Sequence, residues 1–259
     1  MKRTAFLLAI PILFIVTLPA CTRDDEGLHN VIYNAVTDVD GNSYDAVRIG
    51  EQVWMKSNLR TSHFRDGSEI SGVEIGYFDT YDTIPRYYSS HVECPLGNSY
   101  ENESCKIEGF EYNRAAVADD RGLCPEGWHV PDDQDWIQLK QYVSSRNEWC
   151  YNGVSGSIAK ALASKNYWND WVPDYMRTEG SPYCHPEENN ATGFSAVPRG
   201  CQWWSSTEEL HTTDYASTVE NHQWGLCWGE GDCCSLGMAI IDYYIYNGYN
   251  PVSVRCLRD

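Results

Sequence analysis

The feature that most constrains this chain is an N-terminal export segment, because it decides the compartment in which eleven cysteines must fold. Lys2 and Arg3 give the segment a positive start, and an apolar run over residues 5–18 follows. The run is shorter than the roughly 20 apolar residues that a transmembrane helix needs, and its length is typical of a secretory signal. The sequence therefore predicts that the chain is exported.

The export segment ends in Leu18-Pro19-Ala20-Cys21, which resembles a bacterial lipobox. This resemblance predicts a signal peptide over residues 1–20, cleavage before Cys21 and a lipid anchor on that cysteine. Residues 21–30 then form a tether whose acidic stretch resembles the surface-export signals of some outer-membrane lipoproteins, although a solvated tether explains it equally well. We expect a lipid-anchored cell-envelope protein, placed in the outer membrane, with its folded domain over residues 31–259.

Export also bears on the ten cysteines that remain after Cys21, since they would meet an oxidising compartment. Their even number predicts up to five disulfides, each adding about 2–4 kcal/mol when unstrained. Spacing does not fix the connectivity, but Cys94 and Cys105 share one polar loop and form a natural local pair. Metal binding by the three cysteines of residues 227–234 is the alternative, and it lacks a Cys-x-x-Cys pair.

The charge of the mature chain restricts its partners. Removing Lys2 and Arg3 with the signal leaves 17 of the 19 basic residues against 37 acidic ones, a net charge of about −20. Such a chain repels phosphate backbones and anionic headgroups, so the sequence excludes nucleic-acid binding. Acidic side chains also permit calcium binding, because hard cations prefer oxygen ligands. We expect no other cofactor.

The first folded residues predict a β-hairpin. Asp40 and Gly41 form a turn signal between residues 33–36 and residues 44–49, both of which are rich in strand-forming side chains. A second turn at residues 50–52 leads into a third strand. An apolar run at residues 238–241 and the last strand, over residues 252–257, are predicted near the C-terminus, where the other strands after residue 193 are expected to be short.

The clearest helix begins after Pro131. Asp132 is a favourable N-cap, and Asp135 lies near the positive end of the helix dipole. Trp136, Leu139 and Val143 follow at helical spacing and predict one buried face. Weaker helices are predicted near residues 112–117 and 157–164.

Several short motifs occur in a fixed order that resembles the Fibrobacter succinogenes major paralogous domain, from about residue 36 to the end. They are Asp40-Gly41-Asn42, Ile49-Gly50, Gln52, Trp54-Met55, Asn58-Leu59, Tyr112-Asn113, Cys124-Pro125, Gly127-Trp128-His129-Val130-Pro131, Gly193-Phe194-Ser195-Ala196, Trp203-Trp204-Ser205-Ser206 and Ser253-Val254-Arg255-Cys256. Such proteins are secreted or lipid-anchored, and no activity follows from the resemblance.

The resemblance implies a fold similar to C-type lectin-like domains, a class that includes formylglycine-generating enzymes. We therefore expect an α+β fold with short twisted antiparallel strands, two or three short helices and long disulfide-braced loops. The resemblance also implies a disulfide between Cys124, near the first helix, and Cys256, in the last strand. It places the Trp203-Trp204 segment at the buried centre.

Aromatic side chains are the best candidates for ligand contact, because their faces stack on the apolar surfaces of sugar rings. The tryptophans of the motifs are expected in the core. Trp168, Trp171, Trp224 and Trp228 lie outside the motifs, and we expect them to be exposed and to bind ligand. Residues 168–170 resemble part of a calcium-lectin ligand set, but here the run precedes the Trp203 segment instead of following it.

Three functions remain open at this point. The favoured one is non-catalytic binding of polysaccharide or cell-surface glycan, which rests on fold analogy and aromatic content. A protein-binding or adhesion module is the first alternative. An enzyme, either an oxidase-like relative or a hydrolase, is the second. His129 could act as a base, but no nucleophile or carboxylate partner can be identified for it, so no catalytic residue is assigned.

Overall fold

The computed structural model describes residues 31–73, 83–88, 109–168, 179–198, 201–212, 217–226, 236–241 and 251–259. The predicted signal peptide, the lipidation site Cys21, the tether and the Cys94–Cys105 pair lie outside these residues, as do Trp171 and Trp228. The strands are β1 (Val31–Thr37), β2 (Ser43–Ile49), β3 (Gln52–Met55), β4 (Ser71–Val73), β5 (Arg86–Tyr88), β6 (Glu111–Tyr112), β7 (Trp128–His129), β8 (Gln202–Thr212), β9 (Ser217–Leu226), β10 (Leu236–Ile241), β11 (Val252–Ser253) and β12 (Leu257–Arg258). The α-helices are α1 (Arg114–Val117), α2 (Asp133–Ser144) and α3 (Ala159–Leu162).

The predicted hairpin opens a five-stranded antiparallel sheet with the order β1-β2-β3-β12-β7. The strand at the C-terminus is thus inserted between strands from the start and the middle of the chain. Leu257 of β12 lies opposite Trp54 on one side and His129 on the other. The two ends of the domain are therefore joined through backbone hydrogen bonds.

A second sheet has the order β10-β9-β8-β11-β6-β5-β4. Its pairs are antiparallel except β8–β11 and β4–β5. The expectation of short strands after residue 193 is wrong for β8 and β9, which have 11 and 10 residues. The two strands pair with each other as an antiparallel hairpin, and the register of the pairing shifts between Trp204 and Glu208.

The prediction of one last strand over residues 252–257 is also wrong, because this segment contributes to two short strands that belong to different sheets. Between them the backbone turns toward the first sheet, where Met55 N donates to Cys256 O at 3.1 Å and Leu59 N donates to Val254 O at 2.8 Å. This crossing of the chain ties the two sheets together.

Helix α2 begins as the sequence predicts. The Asp132 carboxylate accepts from Asp135 N at 2.9 Å, and the Asp135 carboxylate accepts from Asp132 N at 3.0 Å, which is a reciprocal capping box. The buried face consists of Trp136, Leu139 and Val143, as expected. Among the described residues no helix is long and apolar enough to cross a membrane.

Trp136 lies in one of two buried clusters and packs against aromatic rings from both sheets. Its ring centroid lies 4.6 Å from that of Trp54, 5.4 Å from that of Trp203 and 6.2 Å from that of Trp224. Burying aromatic rings of this size supplies much of the apolar area that stabilises a domain. The helix thus packs against both sheets through one side chain.

The Cys124–Cys256 disulfide that the resemblance implies is present, with an S–S distance of 2.06 Å and a sequence separation of 132. In contrast, Cys150 and Cys184 are thiols in the structure, so it does not contain all of the five disulfides that the even number of cysteines allows. Cys150 is buried, and its Sγ lies 3.5 Å from the Ser144 carbonyl oxygen.

Candidate functional site

Two of the tryptophans that the sequence assigns to ligand contact are buried. Trp168 is fully buried and donates its indole N–H to Ala196 O at 3.0 Å. Trp224 is 4% exposed and donates to Asp133 Oδ1 at 2.8 Å while its ring stacks on Trp136. The prediction that Trp168 and Trp224 are exposed for ligand contact is therefore wrong, because internal acceptors and ring stacking hold both indoles inside the protein.

A buried polar node lies behind the aromatic core. Asn58 Oδ1 accepts from Trp203 Nε1 and from Arg255 Nε, both at 2.9 Å. Arg255 Nη1 donates to Phe194 O at 2.6 Å, and the guanidinium lies over the rings of Phe194 and Trp203. Burial lowers the pKa of Arg255 to about 9, so the group stays cationic at neutral pH. We call Asn58, Phe194, Trp203 and Arg255 the signature node.

His129 has the carboxylate partners that could not be identified from sequence. Its Nδ1 lies 2.6 Å from Asp259 Oδ1, and its Nε2 lies 3.2 Å from Asp135 Oδ2. Carboxylates only accept hydrogen bonds, so the two contacts are both hydrogen bonds when both ring nitrogens carry a proton. The hydrogen bond to Asp135 is the main cause of a raised pKa for His129. The two carboxylates thus favour the cationic form of the ring.

Asp133, at the first position of α2, connects the helix to the long β8–β9 hairpin. Its carboxylate binds the indole N–H of Trp224, Nδ1 of His222 and the hydroxyl of Ser205. Burial would raise the pKa of Asp133, but these hydrogen bonds outweigh it and lower the pKa. The Ser205 hydroxyl meets the carboxylate and not the histidine, so this group is not ordered as a serine–histidine–aspartate triad. Its geometry is that of a structural junction.

Trp149 differs from every other tryptophan among the described residues, because it alone is only partly buried. Its ring meets that of Tyr142 edge-on, with centroids 5.9 Å apart. The Arg146 guanidinium lies 5.0 Å from the Tyr142 ring centroid and donates to the Tyr142 hydroxyl at 2.9 Å. We call Tyr142, Arg146 and Trp149 the aromatic platform.

Two neighbouring segments of the chain support the platform. The turn between β2 and β3 approaches it closely, since a Cβ on Gly50 would lie 2.9 Å from Tyr142 Cδ2. Gly50 also has φ of +63°, a backbone conformation that glycine adopts without strain. On the other side, Trp149 N donates to Arg146 O at 2.9 Å, and the buried Cys150 follows directly. The indole is therefore held on a rigid turn, with one part packed on the core.

Polar residues adjoin this platform in the chain. Asn147 and Glu148 are exposed in the same 3-10 turn as Trp149. In the next turn the Tyr151 hydroxyl donates to the carboxylate of Glu179. A partly open indole with amide, carboxylate and guanidinium neighbours is an arrangement that can contact the C–H face of a sugar and bind its hydroxyl groups.

Comparison with protein families gives one match, to the Fibrobacter succinogenes major domain, over residues 47–258. The chain belongs to this family. No curated protein and no solved structure matches it. The family motifs fall largely on the disulfide, the β2–β3 turn and the signature node, so most of the family signature is buried structure.

The aromatic platform was missed by the sequence analysis. Trp149 follows the five polar residues 144–148, and Tyr142 falls outside the Trp136, Leu139 and Val143 face of α2. A large aromatic residue after a polar run, beside a second one off the buried helix face, was the available signal. Among the described residues no group of three or more His, Cys, Asp or Glu side chains is arranged to hold a metal ion, so calcium binding stays a prediction.

Proposed function

We propose that this family member is a lipid-anchored cell-envelope protein whose domain binds polysaccharide or cell-surface glycan without catalysis. The observation that carries the proposal is the partial exposure of Trp149 among tryptophans that are otherwise buried in the described part of the chain. Ligand sites combine apolar faces with a few fixed polar groups. The aromatic platform and its neighbours Asn147 and Glu148 offer both.

The proposal includes a C-type-lectin-like fold, which the topology supports in two ways. The C-terminal strand β12 lies between β3 and β7, so the ends of the domain meet in one sheet. The Cys124–Cys256 disulfide joins a loop before α2 to the end of the chain. Domains of that class commonly display ligand sites on loops outside such a closed frame, and the platform lies on the last turn of α2 and the 3-10 turn that follows it.

Membrane attachment forms the other half of the proposal and rests on Cys21 and the apolar segment before it. Several acyl chains on one residue give stable anchoring, whereas one chain would give only reversible binding. The tether over residues 21–30 would then separate the domain from the bilayer. Globomycin-sensitive processing, tested beside a Cys21→Ser variant, checks this part independently of ligand binding.

The binding experiment uses the mature chain on a panel of soluble and insoluble polysaccharides, with calcium and with chelator. Trp149→Ala should lower the affinity for the bound polysaccharide at least about tenfold, since stacking on a sugar face is lost. Tyr33→Ala is the matched control, because Tyr33 is an aromatic residue 66% exposed on the edge strand β1, which contributes no residue to the platform. The Tyr33→Ala variant should bind the polysaccharide with the same affinity as the unmodified chain.

Two results would overturn the proposal. If folded, disulfide-intact protein binds no polysaccharide, a protein partner becomes the better hypothesis. If binding occurs but Trp149→Ala and Tyr33→Ala behave alike, the site lies elsewhere. Loss of binding in chelator would show that calcium contributes to the site.

A further inference from the structure

We infer that the edge strand β1 of the first sheet lies against the phospholipid headgroups of the bilayer, with Tyr33 as its contact side chain. This inference rests on the proposed lipid anchor at Cys21, and it adds the surface of the domain that faces the membrane. It follows from the length of chain between Cys21 and β1, from the way in which β1 displays Tyr33, and from the chemistry of that strand.

The chain between the anchor and the domain is too short to allow every orientation. The tether over residues 21–30 spans at most about 36 Å when fully extended, at about 3.6 Å per residue. A compact domain of about 230 residues has a radius of gyration of about 17 Å, which corresponds to a breadth of roughly 45 Å. The tether therefore cannot pass around the domain, so the surface where it joins β1 lies nearest the bilayer.

The strand at this surface is an uncharged sheet edge. Among the described residues β1 pairs only with β2, so its outer side is the edge of the five-stranded sheet. None of its seven residues carries a charged side chain. Because proteins usually place charges on exposed sheet edges or cover them, an uncharged edge beside a lipid anchor is suited to be covered by the bilayer surface.

A bulge in the middle of β1 directs Tyr33 outward. The register of the pairing with β2 shifts there, and Asn34 has a φ of +49°. Asn34 N donates to Asp45 Oδ1 at 2.8 Å, and Asn34 Oδ1 accepts from Ser43 Oγ at 2.9 Å. These two hydrogen bonds hold the bulge to β2, and the neighbouring Tyr33 is 66% exposed. Bulges commonly redirect a side chain in this way.

A bilayer fits this surface better than a second copy of the chain does. The bulge interrupts the regular row of backbone groups with which an added strand would pair. Tyrosine combines an apolar ring with a polar hydroxyl group, and it is enriched where a bilayer meets water. Because the acyl chains supply the attachment, the Tyr33 side chain has only to set the orientation of the domain.

The test uses the full chain, processed, lipidated and reconstituted in vesicles of phosphatidylcholine, with photoreactive benzoylphenylalanine in place of Tyr33. Illumination links this residue to the molecule that contacts it, and mass spectrometry identifies the product. The matched control carries benzoylphenylalanine in place of Val154, which is 57% exposed outside both sheets. We expect at least about tenfold more lipid adduct at position 33 than at position 154, because Tyr33 lies in the headgroup layer.

The outcomes separate this inference from the proposed lipid anchor. Equal lipid adducts at the two positions, or none at position 33, in a chain that stays with the vesicles would overturn the inference and leave the anchor intact. Adducts between two copies at position 33 would also overturn it, and would assign β1 to an interface between chains. A full chain that leaves the vesicles as Cys21→Ser does would overturn the anchor, and this inference with it.

The role of Tyr33 at a bilayer is independent of polysaccharide binding. The polysaccharide experiment contains no vesicles, so Tyr33→Ala remains a valid control there. Conversely, Trp149→Ala should leave the lipid adduct at position 33 unchanged, because Trp149 lies outside the first sheet. A loss of this adduct in Trp149→Ala would overturn the assignment of the contact to β1.

Discussion

Trp203 and Trp149 show two different uses of one residue type in this protein. Trp203 is fully buried, its indole N–H donates to Asn58 and its ring packs against Trp136 and Arg255. Trp149 packs against the core beside Tyr142 and is only partly buried. Because the indole N–H of Trp203 has an acceptor inside the protein and its ring is fully buried, this side chain stabilises the fold and exposes no surface to a ligand.

The difference extends to the surrounding regions. The signature node joins segments that lie far apart in sequence, since Asn58 and Arg255 are 197 residues apart and are linked by one hydrogen bond. The aromatic platform is local and is built mainly by residues 142–149. Changes at the node should therefore affect the folding of the whole domain, whereas changes at the platform should affect binding and leave the fold intact.

The largest effect on the folded frame should come from the disulfide. Replacing Cys124 and Cys256 together by Ser releases a loop whose ends have a sequence separation of 132. The entropy of such a loop predicts a loss of about 5 kcal/mol in the free energy of unfolding. Urea denaturation without reductant measures this loss. A loss below about 1 kcal/mol would show that the hydrogen bonds of β12 alone hold the end of the chain.

The second effect compares the two tryptophans directly. Trp203→Ala should lower the free energy of unfolding by about 4 kcal/mol, since it leaves a cavity in the aromatic core. Trp149→Ala should lower it by less than about 1 kcal/mol, because the indole is partly exposed. Both are measured by the same denaturation experiment. Similar losses in the two variants would refute the distinction between node and platform.

A third and smaller effect comes from the acceptor at the node. Asn58→Ala leaves the indole N–H of Trp203 and Nε of Arg255 without the oxygen that they share. Unsatisfied buried donors cost about 1–3 kcal/mol each, so we expect a loss of about 3 kcal/mol. A double-mutant cycle with Trp203→Phe should give a coupling of about 1 kcal/mol. Additive losses would mean that the hydrogen bond contributes nothing of its own.

Much of the frame could be predicted because its signals are local. The hairpin at Asp40-Gly41 and the capping box at Asp132 and Asp135 depend on residues within a few positions of each other. The Cys124–Cys256 bond could not be derived from spacing and came from the family resemblance. Splitting of the last strand was missed, because it depends on Val254 and Cys256 carbonyls bonding to a segment almost 200 residues earlier.

The site was predicted less well, because exposure is a tertiary property. Trp224 lies directly opposite Trp203 in the β8–β9 pairing, so the register of this pair places both rings against Trp136. No local pattern reveals that register. Trp149 is partly exposed and lies in a 3-10 turn after the end of α2 at Ser144, outside both sheets. Absence from a family motif was therefore a poor guide to exposure.

The smallest effect concerns His129. This motif residue is half exposed, so it is not buried as the signature node is, and it does not belong to the aromatic platform. Its pKa is raised by the hydrogen bonds to Asp135 and Asp259. The stabilisation that this ion pair gives is thus fully present below the unfolded pKa of about 6.5 and is lost as pH rises through the higher folded value. Solvent screening limits it to less than about 1 kcal/mol.

His129→Gln should accordingly be less stable than the unmodified chain at about pH 6, where the carboxylates are ionised in both states, and the gap should close toward about pH 9. Thermal unfolding across this range measures the gap. Asp259→Asn is the matched control, because it removes one carboxylate partner of His129 and keeps Asp135. When His129→Gln is added to Asp259→Asn, the loss of stability at about pH 6 should be smaller than in the unmodified chain but not zero. A gap that stays constant with pH would mean that His129 acts through packing, as the buried motif residues do.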